Sequence, residues 1–536
     1  MKSGESLMSD KMTPIPFERL LPSLLKEYRE KQSLMGVPVT RNTSEAYANA
    51  IGPASGPHTQ LAGNIIAAYA AGATYFELKT VQIMTGDALG IAKPCIYAAT
   101  EVFNTEWSTE LSVEEAESEY IKAYLLLKIL IAELKLGNPD HFQFIMSVGY
   151  DLKGIQSPEI DAFINHMMDA SDAAEWQRAH VFLSENQSLL QHVTPAYIAA
   201  LSPVVSDTIA LSTMHGCHKD EIEQIAQYLL TEKRHHVYVK MNPTLLGRDA
   251  IRSSLDALGY THLAFDETIF EKDISFESAC AMCGRLMAMS REANRMFGVK
   301  LTNTFPVSVL RDELAGETMY LSGPALYPIA VQLARMLSER FQGKLPISFS
   351  GGAEPENIKL LLETGMTPVT VSSYLLKPSG YKNLAKLARE ADKAVIPKHI
   401  DNDKLAALAA AAQGDAHYRY RQRPEIPRSE VYSPLCAACN NCVDICPNRA
   451  NRAVQMEGKK VVVHLDHLCN DCGACAYYCI KGHLPYLEKV TLFTSEWEFE
   501  CSVRPSIYWH GTCHARNVEA EVERQLQNFD WEAFLT

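Results

Sequence analysis

Hydrophobic positions along this chain switch between helical spacing and strict alternation, and the switches recur at regular intervals. Phe17, Leu20, Leu21, Leu24 and Leu25 recur at helical spacing and predict an N-terminal helical lead-in over residues 1–40. Short β-rich runs then alternate with helical stretches. The runs are Ala50–Ala54, Tyr75–Lys79, Phe144–Val148, Thr208–Ser212, Val237–Lys240, Val299–Thr302, Pro346–Ser350 and Val369–Ser372. Such alternation predicts an α/β fold, a (β/α)8 TIM barrel with insertions, over residues 41–412. His262–Phe265 is a ninth strand-like run and is expected to belong to an insertion. The Ala/Leu/Lys-rich stretch 381–412 closes the barrel, and the polar stretch 413–433 reads as a linker.

Cysteine spacing defines the next unit. Cys436, Cys439, Cys442 and Cys446 form one C-x2-C-x2-C-x3-C run, and Cys469, Cys472, Cys475 and Cys479 form another. Bacterial two-cluster ferredoxins use this run, with three close thiolates capping one cubane and the fourth reaching the other. The spacing therefore assigns Cys436, Cys439, Cys442 and Cys479 to one [4Fe–4S] cluster. Cys469, Cys472, Cys475 and Cys446 go to the second, in a 2[4Fe–4S] ferredoxin-like domain over 434–490. A zinc ribbon needs only four ligands per ion and gains nothing from the third cysteine; a disulfide framework suits a small secreted domain. The second run has Ile480 where the first has Pro447. The tail 491–536 carries Trp497, Trp509 and Trp531 and is expected to lie across the domains.

Composition narrows the partners. A hydrophobic content of 47% and a charged content of 21% over 536 residues describe an ordinary globular protein of at least two domains. A net charge of -14 argues against nucleic acid and anionic membrane as partners. Cys95, Cys217, Cys280, Cys283, Cys501 and Cys513 remain outside the cluster motifs. The N-terminus shows no apolar signal core, and the longest apolar run, Tyr124–Leu136, is broken by Lys128 and Glu133. The expectation is a cytoplasmic protein with no membrane span.

Barrel enzymes place chemistry where strands end. Lys79 and Lys240 close apolar strands and read as ligands of an anionic group, whereas Lys300 reads equally well as surface-facing. Small residues gather where a phosphate needs backbone donors: Ser322-Gly323, Ser350-Gly351-Gly352 and Ser372-Ser373. Turn formation is the competing explanation for these glycines.

These residues carry a resemblance. Ala54-Ser-Gly-Pro57, Glu77-Leu-Lys-Thr80, the Asn104-Thr-Glu106 loop, His215-Gly216, Val239–Pro243, Thr302-Asn-Thr304, Ser322–Ala330 and Ser350–Gly352 occur in order. The barrel resembles the FMN domain of dihydroorotate and dihydropyrimidine dehydrogenases. The whole chain is similar to the iron–sulfur flavoproteins labelled selenate reductase subunits, which are associated with anaerobic purine catabolism. The resemblance implies FMN contacts from Ala54, Ser55, Lys79, Asn104, Lys240, Asn303, Ser322, Gly323, Gly351, Gly352 and Ser372. It implies substrate contacts from Asn104, Glu106, Asn303 and Thr304. Catalytic roles would fall to Lys79, to Cys217 as general acid, and to Glu106 or His215 in its place.

Departures qualify the substrate. Ala210-Leu-Ser212 stands where the family reads Asn-Leu-Ser, and the loop carrying the acid is shortened, with Cys217 directly after Gly216. The expected substrate is an oxidised N-heterocycle, a urate-like purine or related pyrimidine, rather than uracil or dihydroorotate. No G-x-G-x-x-G occurs, so an FAD/NAD(P)H-dependent reductase subunit on a separate chain is the expected electron donor. An oligomer is expected. The alternatives are a non-catalytic electron-transfer or assembly subunit, or a selenate reductase component.

Overall fold

The computed structural model describes residues 12–40, 50–84, 89–99, 101–105, 108–213, 217–531 and 534. Eight parallel strands form the barrel: β1 (Ile51–Pro53), β2 (Tyr75–Glu77), β3 (Gln143–Gly149), β4 (Thr208–Ser212), β5 (His236–Met241), β6 (Phe297–Leu301), β7 (Ile347–Phe349) and β8 (Val369–Val371). They hydrogen-bond in the order β1-β8-β7-β6-β5-β4-β3-β2. The ring closes where the Thr74 N–H donates to the Ile51 carbonyl at 3.2 Å. Gly52 permits that approach, because a Cβ there would sit 1.5 Å from the Tyr75 carbonyl oxygen. All eight expected strands are present to within two residues. His262–Phe265 forms no strand and lies in the insertion between β5 and β6.

Strand periodicity sorts the side chains. Tyr75, Ile145, Ala210 and Tyr238 pack together inside the amino-terminal end of the barrel. Two residues further along the same strands come Glu77, Ser147, Ser212 and Lys240, because alternate residues share a face. Intervening residues such as Phe76, Phe144, Ile209, Val239, Val299, Phe349 and Val369 are buried in the apolar layer shared with the helices. The interior thus changes from an apolar plug to a polar, charged layer as the strands rise.

Two features were not read from sequence. A four-stranded antiparallel sheet, ordered Phe305–Ser308, Thr318–Ser322, Val102–Asn104 and Ile96–Ala98, is built from the chain after β2 and after β6. It contributes Ile96, Val102, Asn104, Tyr320 and Ser322 to the wall of the barrel mouth. The ferredoxin-like unit also extends past 490. Its sheet runs Asn451–Met456, Lys459–Leu465, Thr491–Phe493, Ser506–Trp509, Cys513–Arg516, and Thr491–Phe493 pairs in parallel with Lys459–Leu465. A boundary at 490 therefore cuts between paired strands. Most of the run Tyr124–Leu136 lies in the helix Val113–Leu134, where Lys128 pairs with Asp140 at 2.6 Å. No helix among the described residues is long and apolar enough to cross a membrane.

The cysteine-rich unit is bonded directly to the barrel. The Tyr381 hydroxyl and the Asn64 amide both donate to the Pro447 carbonyl at 2.7 Å. The Asn470 amide donates to Glu110 at 2.8 Å, and the Ile96 N–H donates to the Cys472 carbonyl at 2.9 Å. Gly473, with φ +82°, leaves room for Pro94, whose Cβ would lie 2.5 Å from an added methyl.

Candidate active site

A cavity of about 1230 Å³, open to solvent, occupies the carboxyl end of the barrel. Its floor is a charged network. Glu77 is 1% exposed and pairs with Lys240 at 2.7 Å and Lys300 at 3.1 Å. Lys240 also donates to the Ser147 hydroxyl at 2.9 Å, which contacts Thr80 at 2.8 Å, which contacts Ser55 at 3.1 Å. Lys300 donates to Thr370 at 2.8 Å and to Ser348 at 3.2 Å. Lys240 and Lys300 stand directly across neighbouring strands, so each ammonium would repel the other without the carboxylate between them. Burial raises the Glu77 pKa, but the two lysines outweigh it and hold the carboxyl at about 2. Lys300 therefore faces the interior, and its surface-facing reading is set aside.

Lys79 lines the same cavity and is 1% exposed. Burial pulls its pKa down to about 8, opposed chiefly by Glu110 and also by Cys95 and Cys472. At neutral pH the ammonium still predominates. Three ammonium groups, Lys79, Lys240 and Lys300, against the carboxylates of Glu77 and Glu354 leave the lining with one net positive charge, a setting for an anionic ligand.

One wall is a glycine cradle. Gly323 (φ +94°) and Gly352 (φ +81°) meet back to back, and a Cβ on Gly352 would lie 2.6 Å from the Gly323 carbonyl oxygen. Gly323 leads into the 14-residue helix Tyr327–Arg340 by way of Pro324–Leu326, so the cradle lies at a helix N-terminus. Ser322, Ser350, Ser372 and Ser373 line the same region. Bare backbone, hydroxyls and a cationic floor fit FMN: the cradle suits the phosphate and the lysines suit an electron-rich ring. Beside it, buried Glu354 is held by Lys377 and, at 2.8 Å, by His417 of the linker.

The cysteines form a second site against the strand Ile96–Ala98, where the Ile96 N–H donates to the Cys472 carbonyl. A small void is lined by Cys446, Cys469, Cys472 and Cys475, the four residues assigned to one cluster from spacing. The Ala450 N–H reaches the Cys446 sulfur at 3.2 Å, and the Asp471 N–H reaches the Cys469 sulfur at 3.3 Å. Such contacts stabilise the thiolates a cubane needs. In the other set, burial pushes the Cys442 thiol up to about 12, and Cys439, Cys479 and Cys446 add to that rise. That set lies nearer the surface: Cys439 is exposed and Cys436 and Cys479 are half-buried. The void lined by Cys446, Cys469, Cys472 and Cys475 offers a set of four sulfurs of the kind an iron–sulfur cluster uses.

Of the remaining site residues expected from sequence, Ala54, Ser55, Asn104, Asn303 and Thr304 line the cavity. Gly351 does not: it faces helix Tyr327–Arg340, where an added Cβ would lie 2.5 Å from that of Ala330. Cys217 is half-buried on the loop after β4 and is not on the cavity wall. Burial, with Glu221, Asp151 and Asp273, pushes its thiol up to about 12. Glu106 and His215 lie outside the described residues. Sequence reasoning missed the role of Glu77, although Tyr75, Glu77 and Lys79 alternate in one strand, and that signal places Glu77 inside with Lys79. It also missed Thr80, Ser147 and Thr370, whose hydroxyls extend the hydrogen bonds of Lys240 and Lys300 along the barrel floor.

Residues 27–420 match the family model described as "Oxidoreductase YgfK, N-terminal TIM-barrel domain". The chain is 40% identical over 466 residues to "Putative oxidoreductase YgfK" of Escherichia coli (strain K12), covering 81% of this chain and 45% of that protein. The protein of the same description from Escherichia coli O157:H7 matches with the same identity and coverage. The chain thus spans a little under half the length of these relatives. Together with the barrel and its charged mouth, these matches show that the chain belongs to the oxidoreductase YgfK N-terminal TIM-barrel family.

Proposed function

We propose that the chain is the iron–sulfur flavoprotein part of an oxidoreductase that reduces an oxidised N-heterocycle, a urate-like purine or related pyrimidine. FMN, when bound, would take electrons from the two [4Fe–4S] clusters and supply hydride transfer. One observation carries the reading. The four-cysteine void adjoins the flavin-type cavity through a single hydrogen bond, from the Ile96 N–H to the Cys472 carbonyl, and Ile96 itself lines the cavity. The exposed Cys439 at the other set supports electron delivery from outside.

The residues divide the work. Ser322, Gly323, Gly352, Ser372 and Ser373 would hold the phosphate. Lys79, Lys240 and Lys300 would stabilise negative charge on the ring, with Glu77 limiting their repulsion. Asn104, Asn303 and Thr304 would orient the heterocycle. Cys217 is the acid we propose from its place on the loop after β4: it lies off the cavity wall, and its thiol, pushed up to about 12, holds its proton throughout the neutral range but is a weak donor. Electrons would come from a separate FAD/NAD(P)H-dependent reductase, and thiolate-bound clusters suit the reducing cytoplasm.

The test is anaerobic. FMN-loaded, dithionite-reduced protein freed of excess reductant is mixed with purines and pyrimidines, and flavin reoxidation is followed by absorbance. Rapid reoxidation by an oxidised purine or pyrimidine is expected, together with no NADH or NADPH oxidation by the chain alone. Reoxidation by none of them would favour a non-catalytic electron-transfer subunit; reoxidation by selenate alone would favour a selenate reductase component.

A further inference from the structure

We infer that Asp273, a residue of the insertion between β5 and β6, makes Asn303 a pure hydrogen-bond acceptor toward the ligand, so that the site selects a ring N–H. The inference rests on the barrel mouth being the ligand site proposed above. It follows from a chain of side chains in which each polarity forces the next.

Asp273 Oδ2 accepts from the Asn242 Nδ2 at 2.8 Å and from the Thr244 hydroxyl. Its Oδ1 accepts the Ile274 N–H at 2.8 Å. A carboxylate only accepts, so the amide of Asn242 must turn its nitrogen to Asp273 and its oxygen away. That oxygen receives the Asn303 Nδ2 at 2.7 Å. Thr213 completes the argument from the other side. Its hydroxyl donates to the Lys240 carbonyl at 2.7 Å, so its oxygen is free only to accept, and it takes Asn303 Nδ2 at 3.2 Å. Both N–H bonds of Asn303 are then consumed within the protein. Asn303 is 8% exposed and lines the cavity, and among the described residues its Oδ1 has no partner. The amide orientation is therefore not a free choice between two equivalent fits, as an isolated asparagine would be.

The chemical consequence is a donor requirement. A ligand atom at Asn303 Oδ1 must carry hydrogen, as a lactam N–H does; an alkylated nitrogen or a ring oxygen would leave a buried acceptor unpaired and lose roughly tenfold or more in affinity. Asp273 is a positioning residue, acting through Asn242 and Asn303 without touching the ligand. An amide at 273 can donate as well as accept, so Asp273→Asn permits the chain to reverse and relaxes the requirement.

Uric acid and its singly N-methylated isomers are titrated into the oxidised FMN-loaded protein, with the flavin absorption shift as the readout. In the unaltered protein, methylation at one ring position is expected to weaken binding at least tenfold. In Asp273→Asn, with FMN content unchanged, that penalty is expected to fall below threefold. An undiminished penalty in the variant, or equal binding of all isomers to the unaltered protein, overturns the inference. Failure of every isomer to bind refutes the urate-like substrate and not the polarity. The polarity is then read from a neutron structure of the unliganded protein: deuterons on Asn303 directed at Asn242 and Thr213 sustain it, and the reversed amide overturns it.

Discussion

Replacing Glu77 with glutamine isolates the electrostatics of the barrel floor. Glu77→Gln keeps the volume and removes the one negative charge facing Lys240 and Lys300, which lie 2.7 and 3.1 Å from it. The carboxyl is held at about 2 against an ordinary value of 4.5, a difference corresponding to about 3 kcal/mol. Removing one member of a buried ion set costs roughly 3–5 kcal/mol by comparison with other proteins, which agrees. The sign follows from linkage. A carboxyl depressed in the folded state stabilises fully above about pH 4.5, and that contribution fades as pH falls toward 2. The variant should therefore unfold at lower denaturant concentration than the parent at pH 7, and the gap should narrow below pH 4.5. Guanidinium unfolding of the FMN-free protein, followed by circular dichroism, measures it. The double variant Glu77→Gln/Lys300→Met removes one of the uncompensated cations and should recover part of the loss. A variant within about 0.5 kcal/mol of the parent at pH 7, or a double variant less stable than the single one, would refute the reasoning.

Other predictions follow the same geometry. Lys79 loses its charge above about pH 8, so FMN binding should weaken several-fold from pH 7 to 9; fluorescence titration should show this dependence absent in Lys79→Met. Gly352→Ala places a methyl 2.6 Å from the Gly323 carbonyl at a positive φ, and should lower FMN affinity more than tenfold by the same titration. Cys217→Ser should leave FMN and cluster content intact while slowing substrate-driven flavin reoxidation by roughly 10²–10⁴-fold; a parental rate would move the acid role to Glu106 or His215. Cys472→Ser should perturb the cluster beside the cavity and spare the outer one, leaving one cluster signal by electron paramagnetic resonance instead of two.

The barrel was legible because strand and helix periods differ, and eight apolar runs kept their period long enough to be counted. The cysteine grouping was legible in part because the double run is closely and repeatedly spaced, and the void lined by Cys446, Cys469, Cys472 and Cys475 brings together residues from both runs. Lys300 was ambiguous because a short strand gives few residues from which to phase its faces; its pairing with Lys240 across β5 and β6 supplies what one strand lacks. Gly351 looked like Gly352, yet one opposes a helix and the other a turn, a distinction that arises only from tertiary neighbours. The antiparallel sheet over the mouth escaped notice because its strands are three to five residues long and come from two separate insertions. The tie between Asp273 and Asn303 joins residues thirty positions apart through side chains alone, and no local pattern announces it.

Cofactor analysis of the anaerobically reconstituted chain tests the central claim most directly. Two cubanes and one flavin site predict about eight iron, eight acid-labile sulfide and one FMN per chain, with negligible zinc. Zinc in place of iron, about four iron, or failure to retain FMN would contradict it.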